Sequence, residues 1–227
     1  MHVACYMIKH MVEKTFSLAR TCYFLYMTKR GDRMKLGDIA AVRSGLVLSR
    51  KQAREPSGIR YPLLNLRSIN SGGYIDLGLI DIFEAYGKLP QEYLSQPDDV
   101  VVRMSSPYTA VLFDSSTAGM VISSNFVIIR CNRKEILPEY LFWLINTPEV
   151  KRTIYENTSS NMLGAVKAKY FMELEVAPIS LDDQRQLAAI NALAKKEATL
   201  LRRLASEKER YYNLAVHSIY QKFERGK

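Results

Sequence analysis

Basic side chains are concentrated in one short stretch of the sequence, where they could bind phosphate groups. Residues 34–180 contain 16 Lys and Arg against 15 Asp and Glu, so this region is nearly neutral as a whole. Within it, residues 43–67 hold one acidic residue, Glu55, and six basic ones: Arg43, Arg50, Lys51, Arg54, Arg60 and Arg67. Such a cluster attracts nucleic-acid phosphates, but the same charges on a solvated loop need no ligand.

Side chains of the types that contact DNA recur at predicted loops and strand ends. Arginine and lysine reach guanine or phosphate oxygens, and asparagine can pair with adenine. We expect Arg50, Lys51 and Arg54 to hold phosphates, and Arg67 and Asn70 to read base edges. Each position is equally compatible with a plain surface or structural role. The full set of candidate DNA-binding residues is Arg43, Arg50, Lys51, Arg54, Arg67, Asn70, Arg103, Asn161, Lys167 and Lys169.

Motifs of catalytic or cofactor chemistry are absent from the sequence. It contains no phosphate-binding P-loop, dinucleotide fingerprint, nucleophile elbow or zinc-protease helix motif. The three cysteines and three histidines are too scattered for a metal site or a catalytic triad. We therefore expect no catalytic residues, no metal and no cofactor. One alternative is a nuclease, built from Asp98 together with Glu149 and Lys151, but such short strings match by chance.

The cysteines and the hydropathy pattern indicate the cellular compartment of the protein. Cys5, Cys22 and Cys131 are typical of buried thiols in a cytosolic protein. No apolar run reaches the length of a membrane span, and no clean signal-peptide cleavage site follows the apolar stretch at 16–27. The sequence thus predicts a cytoplasmic protein without a membrane partner.

The region 34–180 has the pattern of a mixed, β-rich domain. Strands are predicted at Tyr61–Ile69, Asp99–Met104, Val121–Cys131 and Tyr170–Val176 from their β-branched and aromatic content. Helices are predicted from Pro138 to Ile145 and from Pro148 to Tyr155, because proline is favoured in the first helical turn. A polar loop is predicted over 157–164. The fold class expected for the whole chain is α+β.

A very long helix is predicted from Ser180 to about Arg225. Ser180 can cap its first turn, with Asp183 three residues later. Its apolar positions are separated by steps of 3, 7, 4, 7 and 3 residues, which follow a coiled-coil pattern with Glu197 and Glu207 in the two empty slots. We expect dimerisation through this seam, although one helix lying on its own domain is the simpler alternative. The seam consists of Ile190, Leu193, Leu200, Leu204, Tyr211 and Leu214.

Residues 1–33 differ from the rest of the chain. They are rich in apolar residues and end in the polar break at 29–33. They can be read as an added helix with Val12, Phe16, Ala19 and Tyr23 on one face, or as an extension upstream of a true start at Met34. The expected organisation is therefore an N-terminal extension (1–33), one recognition domain (34–180) and a dimerisation or spacer helix (181–227).

The order of several short motifs resembles the specificity subunit of type I restriction–modification systems. The motifs are Lys35–Ala40 followed by Ser44-Gly45, Tyr61–Ile69 followed by Gly73–Ile75, Asp98–Val102, Leu137–Leu141, and Ala177–Gln184. Each is weak alone, and their spacing over residues 35–204 makes the combination fairly specific. At two positions the chain differs from the family's motifs: Asp98 stands where glycine is usual, and Ser180 stands where proline is common.

The resemblance implies a non-catalytic chain that reads double-stranded DNA. Typical members carry two target-recognition domains and two conserved helices, so this chain looks like a half-length form. Such a half would dimerise through antiparallel helices, read a two-part DNA site and dock methyltransferase subunits, and through them the restriction subunit. An adaptor or silent specificity cassette that no longer binds DNA is the competing interpretation.

Overall fold

The computed structural model describes residues 33–158, 166–177 and 179–225. The extension predicted over 1–33 and the candidate Asn161 therefore lie outside the described residues, apart from Arg33. The strands are β1 (Met34–Lys35), β2 (Ala40–Ser44), β3 (Arg60–Leu64), β4 (Asp81–Glu84), β5 (Asp99–Arg103), β6 (Ala110–Leu112), β7 (Val121–Ile122), β8 (Phe126–Cys131) and β9 (Glu175–Val176). The α-helices are α1 (Leu36–Ile39), α2 (Pro138–Ile145), α3 (Pro148–Thr158), α4 (Ala168–Met172) and α5 (Leu181–Arg225).

Three sheets organise the described part of the domain. The largest is antiparallel, in the order β2-β8-β5-β6, and a second has the order β4-β3-β7, with β3 and β7 parallel. Strands β1 and β9 form a short antiparallel pair next to the start of α5. Mixed sheets followed by one long helix confirm the predicted α+β class.

The central strands of the largest sheet are buried on both faces. Val100 and Val102 of β5 pack with Ile129 of β8 in the cluster that contains α1, α2 and α4. Val101 and Ile128 point the other way and pack against residues of the second sheet. This alternation with period two explains why β5 reads as a continuous valine run.

Two predicted strands are shorter or divided in the structure. The strand predicted over 61–69 ends at Leu64 because the side chain of Asn65 accepts a hydrogen bond from Ser68 N at 2.9 Å and makes a turn. The strand predicted over 121–131 is two strands that belong to different sheets. The chain changes sheet beside Gly45, where a Cβ atom would lie 2.2 Å from Ser123 O, so only glycine fits.

The strand predicted at Tyr170–Val176 was wrong. Residues 168–172 form helix α4 instead, and only Glu175 and Val176 are extended. Phe171 is completely buried against the helical face of the large sheet. Long-range packing therefore overrides the aromatic and apolar character of this segment, which favours a strand locally.

The other helices match their predictions closely. Helix α2 spans Pro138–Ile145, and α3 begins at Pro148 and continues to Thr158, three residues beyond the predicted end. Helix α5 has 45 residues. Ser180 Oγ accepts a hydrogen bond from Asp183 N at 3.1 Å, which confirms the predicted cap. None of the helices in the described ranges combines the length and apolar character that a bilayer crossing requires.

Candidate nucleic-acid interface

The loop before β3 carries the exposed part of the basic cluster. Arg50 ends a single helical turn, and Arg54 lies four residues later, both exposed. Lys51 donates a hydrogen bond to Tyr86 Oη at 2.8 Å, and this bond raises the pKa of the lysine. The Lys51 carbonyl accepts from Tyr86 N at 3.0 Å, so the loop is joined to the end of β4. The result is a fixed basic edge with an exposed aromatic ring beside it.

Glu84 orders the second half of this loop. Its carboxylate accepts hydrogen bonds from Ser57 N at 2.9 Å and Gly58 N at 3.0 Å, and these bonds lower the pKa of Glu84. Gly58 has a φ of 72°, a conformation that glycine adopts without strain. Arg60 lies 4.0 Å from the same carboxylate. Neither Glu84 nor Tyr86 was singled out from the sequence, because each is paired with residues about 26–35 positions away.

Arg67 and Asn70 lie beyond the opposite end of β3. Arg67 forms an ion pair with Asp81 and donates to the Leu79 carbonyl at 3.4 Å. The Asn70 side-chain oxygen accepts from Gly72 N at 2.9 Å and from Tyr74 N at 3.1 Å, so it shapes the turn. Both side chains are exposed, yet each already has protein partners. A base contact at Arg67 would have to compete with Asp81.

Arg43 and Arg103 project from the large sheet and are only partly exposed. Arg43 pairs with Glu92 at 3.4 Å, and burial followed by the nearby Arg130 lowers its pKa. Within the described part of the chain, Arg43 Nη2 and Arg103 Nε are buried without a hydrogen-bond partner. Arg103 donates to the Ser106 carbonyl at 3.4 Å. These two arginines are held against the domain rather than extended from it.

Arg130, which lies in β8, has a structural partner. It forms two hydrogen bonds to Asp99, at 2.8 Å from Nε and 3.2 Å from Nη2, and Asp99 is 1% exposed. A buried, bidentate pair of this kind fixes β8 to β5. Lys167 and Lys169 lie at α4, where Lys169 is 3.7 Å from Glu173. The preceding Val166 N–H donates to the Met104 carbonyl at 2.8 Å, beside Arg103.

Two side chains of helix α5 make hydrogen bonds to the domain, and Leu181 and Leu187 pack against its core. Gln184 is 3% exposed; its Oε1 accepts from Leu137 N at 2.8 Å, and its Nε2 donates to the carbonyls of Glu135 and Ile179 at 3.1 Å. Lys195 donates to the Gly72 carbonyl at 2.7 Å and lies 4.0 Å above the ring of Phe142. Burial, followed by the charge of Lys151, lowers the pKa of Lys195 to about 8. The helix is thus docked along residues 184–195.

A groove of about 710 Å³ runs between α5 and the domain. Tyr74 and Phe142 line the domain side, and Ala188, Ala192 and Lys195 line the helix side. The groove lies next to the docking contacts. Among the described residues no group of three or more His, Cys, Asp or Glu side chains could hold a metal ion.

The predicted seam lies on the exposed side of α5. All six seam residues have relative exposures between 53% and 68%. A second group of apolar residues, which the sequence interpretation did not include, is exposed near the helix end: Tyr212, Val216, Ile219, Tyr220 and Phe223.

Three solved structures resemble this chain. The HsdS subunit from Thermoanaerobacter tengcongensis superposes with a TM-score of 0.59 at 20% identity, over 78% of this chain and 45% of that one. A structure on complex assembly and conformational transition of the type I R-M system gives a TM-score of 0.58 at 20% identity, over 79% and 45%. The type I restriction-modification S subunit from M. genitalium gives 0.52 at 16% identity, over 86% and 48%.

The likeness shows that the chain has the fold of type I specificity subunits, as its motifs suggested. The chain spans about half the length of each matched structure. No family model matches the sequence, and no curated protein matches it either.

Proposed function

We propose that this chain provides one recognition half of a specificity subunit of a type I restriction–modification system, and that it recognises DNA without catalysing a reaction. The observation that carries the proposal is the shared fold, which extends over 78% to 86% of the chain. In this proposal residues 34–180 read one half of a two-part site, and residues 181–227 join two such halves. Methyltransferase subunits are the further partners.

The proposed DNA-facing edge is the loop that contains Arg50, Lys51 and Arg54. Two of these side chains are exposed. The loop is held in place because its backbone N–H groups at Ser57 and Gly58 donate to the Glu84 carboxylate and because Lys51 donates to Tyr86. A preformed loop loses little conformational entropy on binding. These three residues would contact phosphates. Arg67 would contact a base edge after its ion pair with Asp81 has opened.

The competing function is an adaptor that does not bind DNA. It would retain the dimer and the methyltransferase contact but would show no salt-dependent affinity for a duplex. Arg43 favours this alternative at one residue only, because it is partly buried and paired with Glu92, whereas the three loop cations remain accessible.

The experiment measures duplex binding by the chain reconstituted with methyltransferase subunits, at several salt concentrations. Replacing Arg50, Lys51 and Arg54 together by Ala should weaken binding to all sequences. It should also reduce the slope of log K against log salt by about one unit per residue, because each released phosphate contact contributes about 0.9. The charge-matched control replaces three exposed cations elsewhere: Lys35, Lys134 and Arg152.

If the loop variant keeps the affinity and the salt slope of the unmodified complex, the loop with Arg50, Lys51 and Arg54 does not contact DNA. An unmodified complex that binds no duplex at any salt concentration would favour the adaptor.

A further inference from the structure

Tyr86 lies opposite Lys51 at the edge of the basic loop. Its N–H donates to the Lys51 carbonyl at 3.0 Å, next to an antiparallel bridge between Gln52 and Ala85. Residues that stand opposite each other in an antiparallel pair project to the same side and contact one another. The backbone therefore brings the side chains of Lys51 and Tyr86 together, although 35 positions separate them in the sequence.

The hydroxyl group of Tyr86 has an unused donor. Lys51 Nζ donates to Tyr86 Oη at 2.8 Å, so the oxygen is the acceptor in this bond. An ammonium group has donors only, whereas a phenol carries one O–H donor besides its lone pairs. The O–H must therefore point away from Lys51, and within the described residues it has no acceptor. Because Tyr86 is 59% exposed, this donor faces solvent.

The two side chains together present donors that suit one phosphate group. Lys51 Nζ has three N–H donors and uses one of them on Tyr86, whose own O–H lies at the other end of a 2.8 Å bond. Donors this close can reach the free oxygens of the same phosphate. A hydroxyl that accepts from a cation is also a stronger donor, because hydrogen bonds in a chain polarise one another.

Glu84, the acidic residue two positions before Tyr86, has its own positive partners. Its carboxylate accepts from Ser57 N at 2.9 Å and from Gly58 N at 3.0 Å, and Arg60 lies 4.0 Å from it. These partners offset the repulsion that Glu84 would otherwise exert on a phosphate bound nearby.

We infer that Tyr86 binds DNA directly, and that its hydroxyl group and the Lys51 ammonium group donate to the same backbone phosphate. This inference rests on the proposed function and deepens it by adding a neutral contact beside the basic loop. Because Tyr86 carries no charge, its contact releases no counterion and leaves the salt dependence of binding unchanged. The contact of Lys51 contributes about 0.9 to the salt slope. The two residues of one phosphate site are therefore distinguishable by measurement.

The experiment measures the binding of a mixed-sequence duplex at several salt concentrations by the chain reconstituted with methyltransferase subunits. The variants are Tyr86→Phe, Lys51→Ala and the two combined. Tyr86→Phe removes the hydroxyl group and keeps the ring, so it should weaken binding by about twofold to tenfold, the contribution of one hydrogen bond. The slope of log K against log salt should stay unchanged. The same loss should appear in the Lys51→Ala background, where the slope is lower by about 0.9.

Tyr155→Phe is the matched control, because Tyr155 is 60% exposed on α3, and it should bind as the unmodified complex does. An equal loss in this control would overturn the inference. Full affinity of Tyr86→Phe would overturn it as well, and a loss in Tyr86→Ala alone would then assign the contact to the ring.

A third result would also contradict a direct contact. If Tyr86→Phe lowers the salt slope by about one unit, or has no effect in the Lys51→Ala background, Tyr86 acts only by positioning Lys51. The proposed function fails by a different observation, since it requires that the unmodified complex bind duplex DNA with a dependence on salt. Failure of the Tyr86 contact in a complex that binds DNA leaves the proposed function standing.

Discussion

Gln184 should be the most sensitive position in the joint between the helix and the domain. Its side chain makes three hydrogen bonds to backbone groups of residues 135, 137 and 179 while being 3% exposed. The substitution Gln184→Ala removes all three bonds and leaves the buried Leu137 N–H without a partner. A hydrogen bond contributes about 0.5–1.5 kcal/mol net, and a buried donor left unpaired costs about 1–3 kcal/mol. We therefore expect the free energy of unfolding to fall by about 2–4 kcal/mol.

Urea unfolding at one fixed protein concentration measures this loss, since dimerisation would otherwise change the apparent stability. Gln186→Ala is the matched control, because Gln186 is exposed on the same helix. Gln184→Glu adds a second comparison: a carboxylate still accepts from Leu137 N, but it faces two carbonyl oxygens without a donor. If Gln184→Ala is within about 0.5 kcal/mol of the Gln186→Ala control, the hydrogen bonds do not hold the joint together.

Two further outcomes follow from α5. The double substitution Leu200→Asp, Leu204→Asp should convert the dimer into monomers in sedimentation at tens of micromolar, whereas an unmodified chain that sediments as a monomer there would contradict dimerisation through the seam. Lys195 should give a pH-dependent stability, because its folded pKa of about 8 lies below the usual 10.5. Between about pH 8 and pH 10.5 the unfolded chain binds more protons at this site than the folded chain does. The free energy of unfolding should therefore rise with pH in this range relative to that of the Lys195→Met variant. If the two proteins show parallel profiles of unfolding free energy against pH, the lowered pKa is wrong.

Features that depend on nearby residues were predictable from the sequence, and features that depend on distant ones were not. The cap at Ser180 and the proline-started helix α2 involve contacts within four residues, so local pattern was sufficient. Helix α4 required knowledge of the buried surface beneath Phe171. Two of the three partners of Gln184 lie 47 and 49 residues away, so its role could be approached only through the family motif.

The candidate DNA contacts divide in the same way. Charge alone could locate the segment 43–67, but it could not separate the exposed Arg50 from Arg43, which Glu92 engages from 49 positions away. The seam was readable because its spacing follows from the helix period. The helix period does not predict where along the helix the domain is docked. That position is known from the contacts of Gln184 and Lys195 in the structure.

The position of the domain on α5, together with an antiparallel dimer centred on the seam, would set the spacing of the DNA half-sites. The two docking residues, Gln184 and Lys195, are centred between positions 189 and 190, and the seam from Ile190 to Leu214 is centred at position 202, so the second domain would lie 25 residues further along the coil. At 1.5 Å per residue the two domains are about 38 Å apart, which is close to one turn of B-DNA at about 34–36 Å. Duplexes selected from a random pool by the reconstituted complex should therefore contain an inverted repeat whose half-site centres are about 11 base pairs apart, at about 3.4 Å per pair.

Inserting one heptad after Arg202 that continues the seam should lengthen this separation by about 10 Å, or about 3 base pairs, and preserve the half-site sequences. The insertion moves the second recognition domain away from the half-site at the original spacing. The longer dimer should therefore lose affinity for DNA with that spacing. Selected sites with unchanged spacing would show that the coil does not set the distance between the recognition domains.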